Sequence, residues 1–336
     1  MGLPEHLAAL LVLIGLIMYA AFAGADFGGG IWTALASGPR AHEQREGLFH
    51  AIGPVWETNH VWLIFVVVAL FAVFPKGFEA LFIALLFPLA LALVGINFRG
   101  AAFVFRHFGK SRHTELPATG AVFSIASTLT PFFLGMAVTA TGAGHIRLVQ
   151  GEVQDVLWSA WLNPFTIVGG LIGVAICAYI TPFYMMVRTR GELREDFRKR
   201  AIAGAVALGI LTTLEIPLAW LSAPLFFAGL IRPLPLLTVG LAVISGTTTL
   251  VLLWKRIYLL AQLCADVTIA LTIAGFAAAL YPYLLIGEMT LAQAAAPEAT
   301  ILAVMLTLPF GMLILAPSLI FLYRTFGGNP NPDLPV

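Results

Sequence analysis

The sequence has few charged residues. Only 10% of its 336 residues are Asp, Glu, Lys or Arg, whereas 60% are hydrophobic, and the mean hydropathy is +0.95. These values lie far outside the range of soluble domains. The 18 Lys and Arg residues nearly balance the 17 Asp and Glu residues, so no basic surplus points to a nucleic acid. We therefore expect a polytopic membrane protein without a nucleic-acid partner.

The sequence also lacks the motifs that usually hold redox cofactors or metals. It contains no CxxC, CxxCH, HExxH or P-loop pattern. Cys177 and Cys264 both lie inside apolar runs, where we expect small buried side chains rather than a disulfide. A haem needs axial His or Met ligands at a defined depth, and only His50 and His60 lie close to a long apolar segment. We expect this chain to bind no metal and no haem by itself.

Apolar segments of bilayer length, about 20 residues, occupy most of the chain. Nine can be placed, at roughly 7–32, 56–75, 79–105, 117–140, 160–187, 201–222, 235–254, 257–285 and 300–324. The pattern predicts an all-α protein with about nine transmembrane helices in one domain, residues 1–325, followed by a short polar tail, 326–336. The first segment is not preceded by positive charge, so we expect it to be a retained helix. The longest polar stretch, 188–200, is interpreted as a solvated connection.

The connections between these segments differ in charge, and Lys and Arg accumulate on the cytoplasmic side of membrane proteins. Most of the basic residues lie in alternate connections: Arg40, Arg45, Arg106, Lys110, Arg112, Arg188, Arg190, Arg194, Arg198, Lys199, Arg200, Lys255, Arg256 and Arg324. The other connections hold only Lys76, Arg147 and Arg232. This bias predicts that the N-terminus is outside and the C-terminus is cytoplasmic.

Five ionisable residues fall at membrane depth, namely Asp26, Glu57, Arg99, Glu215 and Asp266. A charge there costs roughly 2.5 to 3.5 kcal/mol on insertion scales, and it usually marks an ion path or a paired contact. With the predicted orientation, all except Glu215 fall in the cytoplasmic half of the membrane. Asp26, Glu57 and Asp266 are therefore candidates for proton transfer on the cytoplasmic side.

Each of these residues also has a structural explanation. Asp26 precedes the glycines 28–30, which either let the first helix approach a neighbour closely and bury the acid or end the helix and leave Asp26 at the headgroups. Glu57 follows Pro54 and is also consistent with a first-turn carboxylate favoured by the helix dipole. Arg99 is either a counter-ion for an acid or a snorkelling side chain. The other two acids are also consistent with hydrogen bonding inside the bundle.

Three short motifs carry a resemblance to a known family. They are ADFGGG at 25–30, IGPVWETNHVWLI at 52–64 and NFRG at 97–100, with weaker similarity in NPF at 163–165 and TRGELR at 189–194. Together they resemble subunit II of the cytochrome bd quinol oxidases. The second motif is specific, and the resemblance spans most of the chain.

The resemblance implies that the chain is one half of a membrane heterodimer that oxidises quinol and reduces oxygen to water. In that family, subunit I carries haems b and d and the quinol site, whereas subunit II carries no haem. The implied partners are subunit I, quinol, oxygen and membrane lipids, and a bound quinone or lipid is compatible with the family. The implied location is a bacterial or archaeal cytoplasmic membrane.

The resemblance also implies a role for the acid that follows the Trp of the second motif. That acid is thought to be the central member of a cytoplasmic proton route to the oxygen-reducing haem. Here it is Glu57, after Trp56, while Asp26 matches the acid of the first motif. Many relatives have Asp where Glu57 stands, so this chain keeps the carboxylate and adds one methylene of reach.

Further residues are expected to serve the same route. We include Asp266 on the proton path because of its depth, with Gln262 one turn below it on the same face. Arg99, Trp56 and Asn59 are expected to support or pair with the acids. Trp62 matches a position that is proposed, in some members of the family, to flank an apolar oxygen route.

Two other functional classes remain open from the sequence. A secondary transporter could couple proton or sodium movement to a solute through intramembrane carboxylates. Such proteins tend to have broken helices around a midplane site, and Pro217 lies beside Glu215. Alternatively, the chain is a purely structural assembly subunit whose acids are ion-paired to neighbours.

Overall fold

The computed structural model describes residues 2–52, 56–111, 117–154 and 158–327. Within these ranges the chain forms thirteen α-helices: α1 (Leu3–Ala34), α2 (Ala41–Ile52), α3 (Trp56–Val73), α4 (Pro75–Ala84), α5 (Leu86–Ser111), α6 (Pro117–Ala143), α7 (Pro164–Arg188), α8 (Gly191–Ser222), α9 (Pro224–Leu230), α10 (Pro233–Trp254), α11 (Tyr258–Leu280), α12 (Leu291–Ala294) and α13 (Glu298–Gly327). Two antiparallel pairs of short strands connect helices: β1 (Leu148–Val149) with β2 (Glu152–Val153), and β3 (Tyr283–Leu285) with β4 (Met289–Thr290).

The all-α membrane architecture is confirmed. Among the described residues, eight helices are long and apolar enough to cross a membrane: α1, α5, α6, α7, α8, α10, α11 and α13. The expected segment 56–75 forms α3, which is apolar but shorter. Most of the predicted polar tail, residues 328–336, lies outside the described residues.

The expected segment 79–105 is not one helix. The chain forms α4 and α5 there, with a break at Leu85. Pro88 explains the break because it has no N–H to bond the carbonyl of Ala84, and its ring clashes with that carbonyl in a continuous helix. The segment therefore crosses the membrane as α5 alone.

Helix α1 lies at the centre of the bundle, where it packs against α3, α6, α7, α11 and α13. Its glycines are the reason that neighbours come so close. A Cβ on Gly28 would overlap the carbonyl oxygen of Cys177 and the hydroxyl of Thr181, and one on Gly30 would overlap the Ser127 hydroxyl. The expectation of close approach is confirmed, while the alternative that the glycines end the helix is wrong, because α1 continues to Ala34.

The basic connections meet at one end of the bundle, where α1, α5, α7 and α10 finish; we call it the basic end. There Arg40 donates hydrogen bonds of 2.8 and 2.9 Å to Asp196 and pairs with Glu192. The hydrogen bonds to Asp196 raise the pKa of Arg40 above its ordinary value. At the opposite end Arg147 pairs with Glu288 at 3.0 Å. The basic end is the one that the charge bias predicts to be cytoplasmic.

The interpretation of 188–200 as a solvated connection is wrong. From Gly191 onward this stretch forms the first turns of α8. Arg200 is only 9% exposed, and it donates to the Gln44 side chain at 2.5 Å and to the carbonyls of Trp32 and Leu35 at 3.5 and 3.4 Å. The last carbonyls of a helix have no intrahelical partner, so the end of α1 provides acceptors that draw this arginine inward.

Candidate functional site

Asp26 is buried at the contact between α1 and α3. Its side chain is 3% exposed, and Asn59 is 4% exposed. The Nδ2 atom of Asn59 donates a 2.8 Å hydrogen bond to Oδ2 of Asp26. The alternative in which Asp26 lies at the headgroups is therefore wrong, because the acid faces a neighbouring helix.

A cavity of about 120 Å³ adjoins this pair. It is lined by residues of α1, α2, α3 and α7: Phe22, Ala25, Asp26, Leu48, Ala51, Asn59, Thr181, Tyr184, Met185 and Arg188. One water needs roughly 10 to 15 Å³ of such volume and two to four polar partners, so the cavity has room and partners for several waters. It is smaller than the roughly 300 to 1,000 Å³ of typical ligand pockets, so its size suits water.

Arg99 is fully buried in α5. Its guanidinium lies 5.5 Å from the ring centroid of Phe27 and 5.5 Å from that of Phe123. Its charge acts on Asp26 and on Tyr19. The snorkelling alternative is therefore wrong, and the aromatic faces together with the nearby acid accommodate the cation.

Two further side chains, those of His60 and Tyr19, lie near Phe27 and Arg99 and were not predicted from the sequence. The His60 ring centroid lies 5.4 Å from that of Phe27 and 6.0 Å from that of Tyr19, and Arg99 acts electrostatically on His60. The spacing could have indicated Tyr19, because it precedes Asp26 by seven residues and therefore lies on the same face of α1. His60 follows Asn59 directly in the second motif.

The structure does not place Glu57 next to Asp26. It lies in the first turn of α3 with an exposed side chain, two residues before Asn59. Residues two apart on a helix do not share a face, so Asn59 points toward α1 while Glu57 lies on the surface of this chain. Trp56 begins α3, but its side chain and Pro54 lie outside the described residues.

Asp266 is half-buried in α11. The Tyr184 hydroxyl lies 3.4 Å from its Oδ1 atom, and Tyr184 also lines the cavity. Glu215 is half-buried in α8 and is not a cavity-lining residue. Trp62 stacks on Phe22, with 6.5 Å between the ring centroids.

Among the residues that the structure describes, no group of three or more His, Cys, Asp or Glu side chains could hold a metal ion. The two cysteines in these ranges are free. The chemistry available at the cavity is that of carboxyl, hydroxyl, amide and guanidinium groups around a small water-sized space.

Comparison with known proteins gives a consistent result. Residues 4–326 match the model of the family described as cytochrome bd terminal oxidase subunit II. The chain is 29% identical to cytochrome bd ubiquinol oxidase subunit 2 of Bacillus subtilis over 60% of this chain and 59% of that protein. It is also 29% identical to cytochrome bd-I ubiquinol oxidase subunit 2 of Escherichia coli, over 63% of this chain and 55% of that protein. The matched region thus spans somewhat more than half the length of these two relatives.

A solved structure shares the fold. A chain in the structure of bd oxidase from Geobacillus thermodenitrificans superposes with a TM-score of 0.81, covering 97% of this chain and 99% of that chain at 21% identity. The helix order and packing described above are therefore those of a known membrane architecture.

Proposed function

This chain belongs to the cytochrome bd terminal oxidase subunit II family, and from that premise we propose that it is the haem-free subunit of a quinol:oxygen oxidoreductase. It supports assembly with a polytopic partner, subunit I, in a bacterial cytoplasmic membrane. Haems b and d, bound by that partner, would carry electrons from quinol to oxygen. This chain supplies protons from the cytoplasm to the site at which oxygen becomes water.

The observation that carries this proposal is the burial of Asp26 beside a cavity with room for several waters at the basic end. A buried acid is costly, and the positive charge of Arg99 nearby offsets part of that cost. Asn59 holds one carboxylate oxygen in place with a 2.8 Å hydrogen bond. A fixed carboxyl in contact with water is suited to accept and release a proton.

The proposed route begins with cytoplasmic water in the cavity. The proton passes to Asp26 on α1. Glu57, on the surface of the neighbouring helix α3, receives it through water rather than by direct contact with Asp26 and passes it out of the chain. Glu57 is exposed on the surface of this chain, which supports a role in handing the proton to a partner seated there. We also propose that Trp62, stacked on Phe22, flanks an apolar route for oxygen.

Replacement of Glu57 tests the exit of this route. The assembled complex is purified through an affinity tag on this chain, and quinol-driven oxygen consumption is measured with Glu57→Gln. The amide cannot carry the proton, so we expect turnover to fall by about tenfold or more, with haem absorbance unchanged. The matched control is Glu43→Gln, because Glu43 is an exposed first-turn acid of α2 at the same end.

Two results would count against the proposal. Full turnover with Glu57→Gln would remove Glu57 from the route. Purification of a colourless homomer, without a haem-bearing partner, would favour the proton- or sodium-coupled transporter instead.

A further inference from the structure

One face of α7 forms part of the wall of the cavity beside Asp26. Thr181, Tyr184 and Arg188 all line it, and their spacing of three and four residues puts them on the same side of the helix. The Thr181 hydroxyl lies 2.8 Å from the carbonyl oxygen of Ala25, the residue before Asp26. This face of α7 is therefore in direct contact with the segment of α1 that carries the acid.

Asp266 reaches the same face of α7 from α11. Helix α11 packs against both α7 and α1. Asp26 lies eight residues before the end of α1, and Asp266 lies eight residues after the start of α11. At 1.5 Å per residue, each of these residues lies about 12 Å along its own helix from the terminus at the basic end. Two acids thus lie at similar depth beside α7, and Tyr184 contacts both the cavity and Asp266.

We propose that Tyr184 connects Asp266 to the water cavity at Asp26, so that Asp266 serves as a second proton-holding group of the same route. This inference rests on the proposed function. A phenol hydroxyl can donate one hydrogen bond and accept another. As a protonated cavity water gives its extra proton to the Tyr184 oxygen and becomes neutral water, the hydroxyl proton moves to the Asp266 carboxylate, which becomes a carboxylic acid. The reverse transfer returns the proton to the cavity after Asp26 has released its own.

A purely structural role would be to fasten α7 to α11, and the two roles differ in what they predict for Asp266→Asn. The amide still offers an oxygen to the Tyr184 hydroxyl, so a structural contact would persist. It cannot hold the transferred proton, so a relay would fail. Asp266→Glu keeps the carboxyl group and should restore most of the function.

The test measures proton uptake by the assembled complex when the quinol-reduced enzyme is mixed with oxygen, using a pH-indicator dye in weak buffer. Asp266→Asn and Tyr184→Phe should each slow uptake by about tenfold, below the hundredfold typical of a group that acts directly. The double variant should be no slower than the slower single variant. The control is Tyr283→Phe, which lies in β3 at the opposite end and should leave uptake unchanged.

Several outcomes would overturn the inference. If both variants take up protons at the wild-type rate while Asp26→Asn is slow, the proposed function stands and the connection through Tyr184 is wrong. If Asp26→Asn also takes up protons at the wild-type rate, the proposed function itself fails. Multiplying effects in the double variant would show that the two side chains act separately. Haem absorbance reports whether each variant complex assembles. If Tyr184→Phe does not assemble, proton uptake by Asp266→Asn is compared with that of Asp266→Glu, and equal rates for the two would overturn the inference.

Discussion

The amide of Asn59 donates a 2.8 Å hydrogen bond to the carboxylate of Asp26, and both side chains are buried. The bond joins two helices at residues that are 33 positions apart in the chain. It fixes the rotation of α3 against α1, and with it the side of α3 on which Glu57 lies. The stability of the helix pair and the orientation of the acid therefore depend on the same contact.

Removal of this amide should destabilise the protein. Asn59→Leu has a similar size but takes a donor away from a buried carboxylate, and hydrogen bonds to charged groups are worth about 1.5 to 3 kcal/mol. We expect a lower melting temperature in detergent. The control is Asn97→Leu, since Asn97 is exposed and bonds only within its own helix, to the Leu93 carbonyl. Equal melting temperatures for the two variants would contradict the role of Asn59.

The glycines of α1 give a steric prediction. Gly28→Ala places a methyl group against the Cys177 carbonyl and the Thr181 hydroxyl, and overpacking of this kind costs about 1 to 3 kcal/mol. We expect a lower melting temperature and a lower yield of folded protein. Gly240→Ala is the matched control because a Cβ on Gly240 meets no atom within 4 Å. If Gly28→Ala melts no lower than Gly240→Ala, the close approach of α1 and α7 is wrong.

Helices and their membrane character could be predicted from the sequence, because hydropathy is a local property that acts over each 20-residue segment. The start of α8 could not, since charged residues at 188–200 are equally typical of a solvated loop. Which of its charged side chains are buried depends on tertiary contacts, such as those of Arg200 with acceptors at the end of α1. Helix α2 was not predicted either. It is a polar segment of 12 residues, and a helix of that length depends on packing against its neighbours for its stability.

The site was only partly predictable for a similar reason. The motifs identified Asp26, Asn59 and Glu57, but one sequence does not specify how α3 is rotated about its axis. Consequently it could not indicate that Asn59 meets Asp26 while Glu57 lies on the surface. The contact between Tyr184 and Asp266 joins residues on two helices 82 positions apart, and it depends on which helices are neighbours.

The planar shape of Arg99 should matter as well as its charge. Arg99→Lys keeps the positive charge but loses the flat group that lies near Phe27 and Phe123. We expect a loss of about 1 to 2 kcal/mol in stability, the range of a desolvated cation–π contact. As a control, Arg147→Lys changes a side chain that is 72% exposed and should leave the melting temperature unchanged. A wild-type melting temperature for Arg99→Lys would show that charge alone suffices.

Arg200 should stabilise the last turn of α1 against local unfolding. Arg200→Ala removes its bonds to Gln44 and to the last carbonyls of α1. We expect faster amide hydrogen exchange in the last turn of α1 than in the wild type, because that turn opens locally. Lys199→Ala, which alters an exposed neighbour, should not change the exchange. Unchanged exchange with Arg200→Ala would contradict this capping role.

The central claim, that Asp26 carries protons through this chain, is tested most directly by Asp26→Asn in the assembled complex. The amide keeps the size of the side chain and an oxygen that can accept the Asn59 hydrogen bond, so haem absorbance should be unchanged. Because the amide cannot take up and release a proton, we expect quinol-driven oxygen consumption to fall by about a hundredfold. Wild-type oxygen consumption by a fully assembled Asp26→Asn complex would contradict the account.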